Sequence, residues 1–160
     1  MNKQFTRRLY RSFGEFWTDL KFLSSNVKKL NSLRLISPAF RERLMLAVVS
    51  VYGCRYCSYI HTREALRIGI NKEEITGILS GSTENFPEEE AIALIYAQHW
   101  ADSNADPEPE SIQRLVETYG SEKAGAISFA LRIYRVSNLF GNSLDYLLDK
   151  VSLGKLGKMR

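Results

Sequence analysis

The chain has 160 residues, 44% hydrophobic and 25% charged, which fits a globular domain with a real core and excludes a disordered or low-complexity chain. Its longest apolar run, Leu44–Val49, is far short of the roughly 20 residues of a membrane span. The N-terminal MNKQFTRRLYRSFGEFW has no apolar stretch behind its charges, so no secretory signal is expected and a cytoplasmic location follows.

The net charge of +4 is uneven: residues 1–43 hold ten Lys or Arg against three acids, a balance of +7, which leaves −3 for the rest. In residues 1–30 these charges are interleaved with Phe5, Tyr10, Phe13, Phe16, Trp17 and Phe22. Such a basic, aromatic-rich extension suits nucleic acid or an anionic membrane surface. The plainer reading, favoured here, is an arm whose aromatics pack on a neighbouring subunit of a homo-oligomer while its charges face water. No nucleic-acid partner is expected.

From residue 31 to 151 the pattern is helical. Ser37-Pro38 opens a helix, with Ser at the N-cap and Pro at the first helical position. It runs through AFRERLMLAVVSVY to Gly53. Cys54 starts a second helix that continues to Gly69. Asn71 caps a third, KEEITGIL, with Glu74 at the capping-box position. Gly81–Phe86 reads as a polar loop. Pro87 and three glutamates open an apolar helix that contains Trp100. A loop over Ser103–Glu110 leads to a helix ending at Gly120. Ser121 caps the last long helix, whose stripe of Ile127, Ala130, Leu131 and Tyr134 leaves Arg132 and Arg135 pointing away. A short helix over Ser143–Val151 precedes a flexible tail, residues 152–160. Neither a hairpin signal nor a GxGxxG or Walker loop occurs. The expectation is one compact all-α domain of six or seven helices. One segment also suits a strand: LMLAVVSVY is rich in β-branched residues, and a strand before CxxC is the thioredoxin arrangement.

The chemistry concentrates in YGCRYCSYIH, which holds both cysteines and one of two histidines. With Cys54 opening a helix, Cys57 and His61 follow at spacings of three and four, on one helical face. The helix N-terminus favours a thiolate, by about 0.3–1 kcal/mol. That is under one pKa unit, so a thiol near 8.5 still needs a base. His61 is the candidate, and it needs an orienting partner. Haem attachment is excluded because Ser58, not histidine, follows Cys57. Zinc finds three acceptable ligands in Cys54, Cys57 and His61, with His99 or a carboxylate as a fourth. Two buried structural thiols in a non-catalytic helical protein are the remaining alternative. His99 reads as a hydrogen-bonded helix residue outside the site, and Tyr52 and Tyr59 as site walls.

The wider pattern Glu42–x11–Cys54–x2–Cys57–x3–His61 resembles the signature of the alkylhydroperoxidase D and carboxymuconolactone decarboxylase superfamily, over roughly residues 35–80. The resemblance implies a homo-oligomeric all-α thiol peroxidase or disulfide reductase without a metal or cofactor. It implies that Cys57 attacks a small hydroperoxide or disulfide substrate. Cys54, nearer the helix start and more exposed, then resolves the sulfenic acid, and Glu42 and His61 relay protons. A dithiol reductant, such as a lipoyl-bearing or thioredoxin-like protein, regenerates the pair. The decarboxylase branch generally lacks the two cysteines, so redox chemistry is favoured. One departure stands out: Tyr56 occupies the place before Cys57 where a relay histidine is often found, and a phenol with pKa near 10 is a poor acceptor at neutral pH.

Overall fold

The computed structural model describes residues 7–82 and 86–153. The tail from residue 154, the start of the arm before residue 7, and residues 83–85 of the polar loop lie outside the described residues. Among the described residues every regular element is helical. Helix α1 is Phe13–Ser25, followed by a 3-10 segment over Val27–Leu35. Then come α2 (Pro38–Tyr52), α3 (Arg55–Arg67), α4 (Lys72–Leu79), α5 (Glu88–Asp102) and α6 (Pro109–Val151). The all-α expectation therefore holds.

Helix α2 is the centre, with α3, α4, α5 and α6 all packed on it. Its run Leu44–Val49 is buried on every side. This is why LMLAVVSVY is a helix despite its β-branched residues: a helix that is apolar all round satisfies its own backbone and can be surrounded. Ser37 Oγ accepts from Phe40 N–H at 3.2 Å, with Pro38 in the first turn. Asn71 caps α4 as expected, accepting from Glu74 N–H at 2.8 Å. The Glu74 carboxylate does not close a capping box, however. It is drawn to Arg43 on α2, which also reaches the buried Glu90 of α5 at 3.2 Å.

Helix α6 contains the expected pair of helices, parted by a kink at the non-helical Gly120 (φ 74°, ψ 159°), but the expected short terminal helix is continuous with the second of them, since no break precedes Ser143. The chain stays helical through Gly141 because Asn138, Leu139, Asn142 and Asp145 form a buried inner face there.

Arg135 was expected on the solvent side and is instead 2% exposed. It donates to Asp19 Oδ2 at 2.9 Å, to Glu15 Oε1, to Asn104 Oδ1 at 2.8 Å and to the Tyr52 hydroxyl at 3.3 Å. Tyr10 donates to Asp19 at 3.1 Å. This network fastens α1 along α6 of its own chain. Phe16 stacks on Phe140 at 6.3 Å and Phe22 meets Phe129 at 6.5 Å. So Phe16 and Phe22 pack against α6 of their own chain, whereas Phe13 and Trp17 stay exposed.

Replacing Arg135 with Met leaves the buried Asp19 carboxylate without its main counter-charge. Loss of one partner of a buried pair costs about 3–5 kcal/mol. An unfolding free energy in urea lowered by that amount is expected; an unchanged value would show that the network does not hold α1 in place.

Candidate active site

Helix α2 delivers the chain through Gly53, whose φ of 70° and ψ of 27° are left-handed backbone open to glycine at little cost. That turn lets Cys54 follow at once as the N-cap of α3. Cys54 Sγ accepts from the Cys57 N–H at 3.3 Å, and the two sulfurs lie 2.8 Å apart. Both are free thiols.

The first N–H groups of a helix lack helical partners and form its positive end, so a sulfur capping them favours the thiolate. The Cys54 pKa is pushed down to about 7, chiefly by the Cys57 S–H, with the Cys57 and Tyr56 N–H groups adding against burial. Cys57 moves the opposite way: its bond to Cys54, burial and the neighbouring charge all hold its proton on. Cys54 is therefore the more readily ionised of the two thiols, and Cys57 the one that keeps its proton.

Glu42 of α2 reaches α3 and meets His61, Oε2 to Nδ1, at 2.7 Å. The orienting partner that the histidine needed is thus in place, one turn beyond Cys57. Among the described residues no group of three or more His, Cys, Asp or Glu is placed to hold a metal ion.

Helix α6 forms the far wall and was not identified from the sequence. Tyr134 packs on the cluster of Met45, Val49, Cys54 and Cys57. Burial pushes its phenol pKa up, with the Glu42 charge adding. Ser137, whose Oγ donates to the Tyr134 carbonyl at 3.0 Å, draws the Cys57 pKa the other way. A Cβ on Gly141 would lie 2.9 Å from Cys54 Sγ, so only glycine lets α6 approach so closely. One turn on, the buried Asp145 binds Arg7 at 2.7 Å, Arg55 at 2.6 Å and the Tyr56 hydroxyl at 2.8 Å. A signal for this wall existed: Asn138, Asn142 and Asp145, at i, i+4 and i+7, make a polar stripe on an otherwise apolar helix.

The remaining sequence candidates fall as follows. Tyr56 gives its hydroxyl to Asp145 and does not take the place of a relay histidine. Tyr52 is fully buried, and its hydroxyl accepts from Arg135 at 3.3 Å. Tyr59 is exposed and meets Arg63 at 3.3 Å. His99 pairs with Glu108 at the end of α5, outside the site. Cys54 is 0% exposed and Cys57 8%, the reverse of the expected order. Cys54 forms the floor of a cleft of about 320 Å³ between Arg7, Ser50, Gly53, Arg55 and Ser58.

Residues 23–95 match the carboxymuconolactone decarboxylase family, a stretch that contains Glu42, Cys54, Cys57 and His61. The resemblance carried by the motif thus extends over just under half of the chain, from the end of α1 into α5. Comparison with curated proteins and with solved structures gives no match.

The ionisation of Cys54 has a direct readout. Thiolate absorbance at 240 nm is expected to rise with pH through a midpoint near 7 for Cys54. In Cys57→Ala, which removes the S–H donor, that midpoint moves up toward the ordinary thiol value of about 8.5. A midpoint that stays put in Cys57→Ala would show that the cap alone sets it.

Proposed function

We propose that this protein is a thiol peroxidase that reduces hydroperoxides through the Cys54–Cys57 dithiol, assisted by Glu42 and His61. The observation that carries the reading is the pair of sulfurs 2.8 Å apart on the first turn of α3, with the Glu42–His61 pair one turn on. The family match, whose members include enzymes of this kind, supports it.

Cys57 is the attacking thiol. It is the one with exposed surface, and it lies four residues before His61. His61, held by Glu42, takes the Cys57 proton as the hydroperoxide arrives. The thiolate attacks the peroxide, a S–O bond forms and the O–O bond breaks. The departing alkoxide takes a proton and leaves as the alcohol, and Cys57 is left as a sulfenic acid. Cys54 then attacks Cys57 Sγ. Its lowered pKa makes a large fraction of it thiolate at neutral pH, already in contact with its target. The S–S bond forms and hydroxide leaves, to be protonated to water. The overall oxidation converts a dithiol to a disulfide, and a dithiol reductant reverses it by two exchanges. The same exchange run on a small disulfide substrate gives disulfide reductase activity.

In this scheme the two cysteines fail differently. Cys57→Ser is expected to abolish peroxide consumption. Cys54→Ser is expected to carry out one stoichiometric oxidation, trapped by dimedone on Cys57, without turnover. His61→Asn and Glu42→Gln are expected to keep the fold and slow the reaction by about 10²–10⁴. Sulfenic acid on Cys54 in the Cys57→Ser protein would reverse the roles, and full activity in all four variants would remove the site from the reaction.

A further inference from the structure

The outward face of residues 11–35 has a one-sided chemistry that the thiol site does not use. Helix α1 and the 3-10 segment both lie against α6, so their exposed side chains point away from the body of the protein. Five cations are exposed there: Arg11, Lys21, Lys28, Lys29 and Arg34. Six large apolar side chains are exposed among them: Phe13, Trp17, Leu20, Val27, Leu30 and Leu35. Phe13 and Trp17 stack at 6.3 Å, and Lys21 Nζ sits 5.9 Å from the centre of the Trp17 ring. The stretch has two acids, Glu15 and Asp19, and neither offsets the outward charge. Both are drawn inward onto Arg135. Folding thus strips the face of its anions, while residues 44–160 carry a net charge of −3, so the protein has a basic, apolar side.

We propose that this face docks on an anionic phospholipid bilayer, with Trp17, Phe13 and Leu20 entering the headgroup–acyl boundary and Lys21, Lys28 and Lys29 meeting the headgroups. The combination of exposed basic, aromatic and aliphatic side chains on two consecutive helical segments packed against α6 is what interfacial binding requires. Charge complementarity favours this occupant over a second copy of the chain, because self-association through the face would bring like charges together. Nucleic acid would use the cations and the two aromatic rings but has no apolar phase to receive Leu20, Val27, Leu30 and Leu35. Among the described residues no helix is long and apolar enough to cross a membrane, so the contact is peripheral. It stands independently of the thiol chemistry.

Trp17 supplies a local probe, because the other tryptophan, Trp100, is 3% exposed and does not change surroundings on docking. The full chain is mixed with vesicles of phosphatidylglycerol and phosphatidylcholine, or of phosphatidylcholine alone. Co-sedimentation and a blue shift of tryptophan emission are expected with the anionic vesicles. Binding at least about tenfold weaker is expected for the neutral vesicles, and again at high salt, where exposed charges are screened. The variant Lys21→Glu/Lys28→Glu/Lys29→Glu is expected to lose binding with its circular dichroism unchanged. Arg63→Glu/Arg67→Glu/Lys72→Glu, which makes the same charge change elsewhere, is expected to bind anionic vesicles clearly better than that variant. Absence of binding to anionic vesicles, or full binding by the first variant, overturns the proposal. So does a blue shift that grows with protein concentration alone, which would assign the face to a second copy. Tighter binding to a single-stranded oligonucleotide than to vesicles would assign it to nucleic acid.

Discussion

Helix α2 has no solvent face along Leu44–Val49, and this burial sets the position of everything else. Four helices must pack on it, and the two ends of the buried run are where polar residues can emerge. At the N-terminal end Glu42 emerges toward α3 and Arg43 toward α4 and α5. At the C-terminal end the chain must turn within one residue, and Gly53 permits it. The next residue is Cys54, so the turn that ends α2 also places a sulfur on the exposed N–H groups of α3. The Glu42–His61 pair and the two cysteines are therefore held by opposite ends of one buried helix packed against α3.

Two buried charges on α6 extend this frame toward the N-terminus. Arg135 gathers Glu15, Asp19 and the Tyr52 hydroxyl, and Asp145 gathers Arg7, Arg55 and the Tyr56 hydroxyl. Buried ion pairs contribute less to net stability than their Coulomb energy suggests, because desolvation offsets most of it. Their effect here is to fix the geometry. Asp145 and Gly141 face Cys54 from one helical turn, and Arg7 is drawn over Gly53, closing the site with residues outside the family match. The same economy of charge turns the two acids of α1 inward and leaves its outer face basic.

The sequence made the local parts of this legible and left the long-range parts hidden. The caps at Ser37 and Asn71, the stop at Gly53 and the convergence of Cys54, Cys57 and His61 depend on neighbours a few residues away, so spacing reveals them. Glu42 was identified from its spacing within a family motif. Arg135 was misplaced because its partners, Glu15 and Asp19, lie more than a hundred residues earlier, and nothing near it in the chain signals a buried cation. Gly141 carries no local signal, since its role is to leave room for an atom on another helix. The relative exposure of the two thiols was inverted for a similar reason. The first turn of a helix is open in isolation, but here α6 and Arg7 cover it.

The central claim is that the two sulfurs act as one redox unit. Its most direct test is thiol counting with intact-mass measurement after one equivalent of an organic hydroperoxide is added to the reduced, full-length protein. The account predicts that both thiols are lost together, with the mass falling by two hydrogens, one alcohol formed per chain, and full recovery on adding a dithiol. Loss of a single thiol with a gain of oxygen, or a peroxide left unconsumed while both thiols persist, would contradict it.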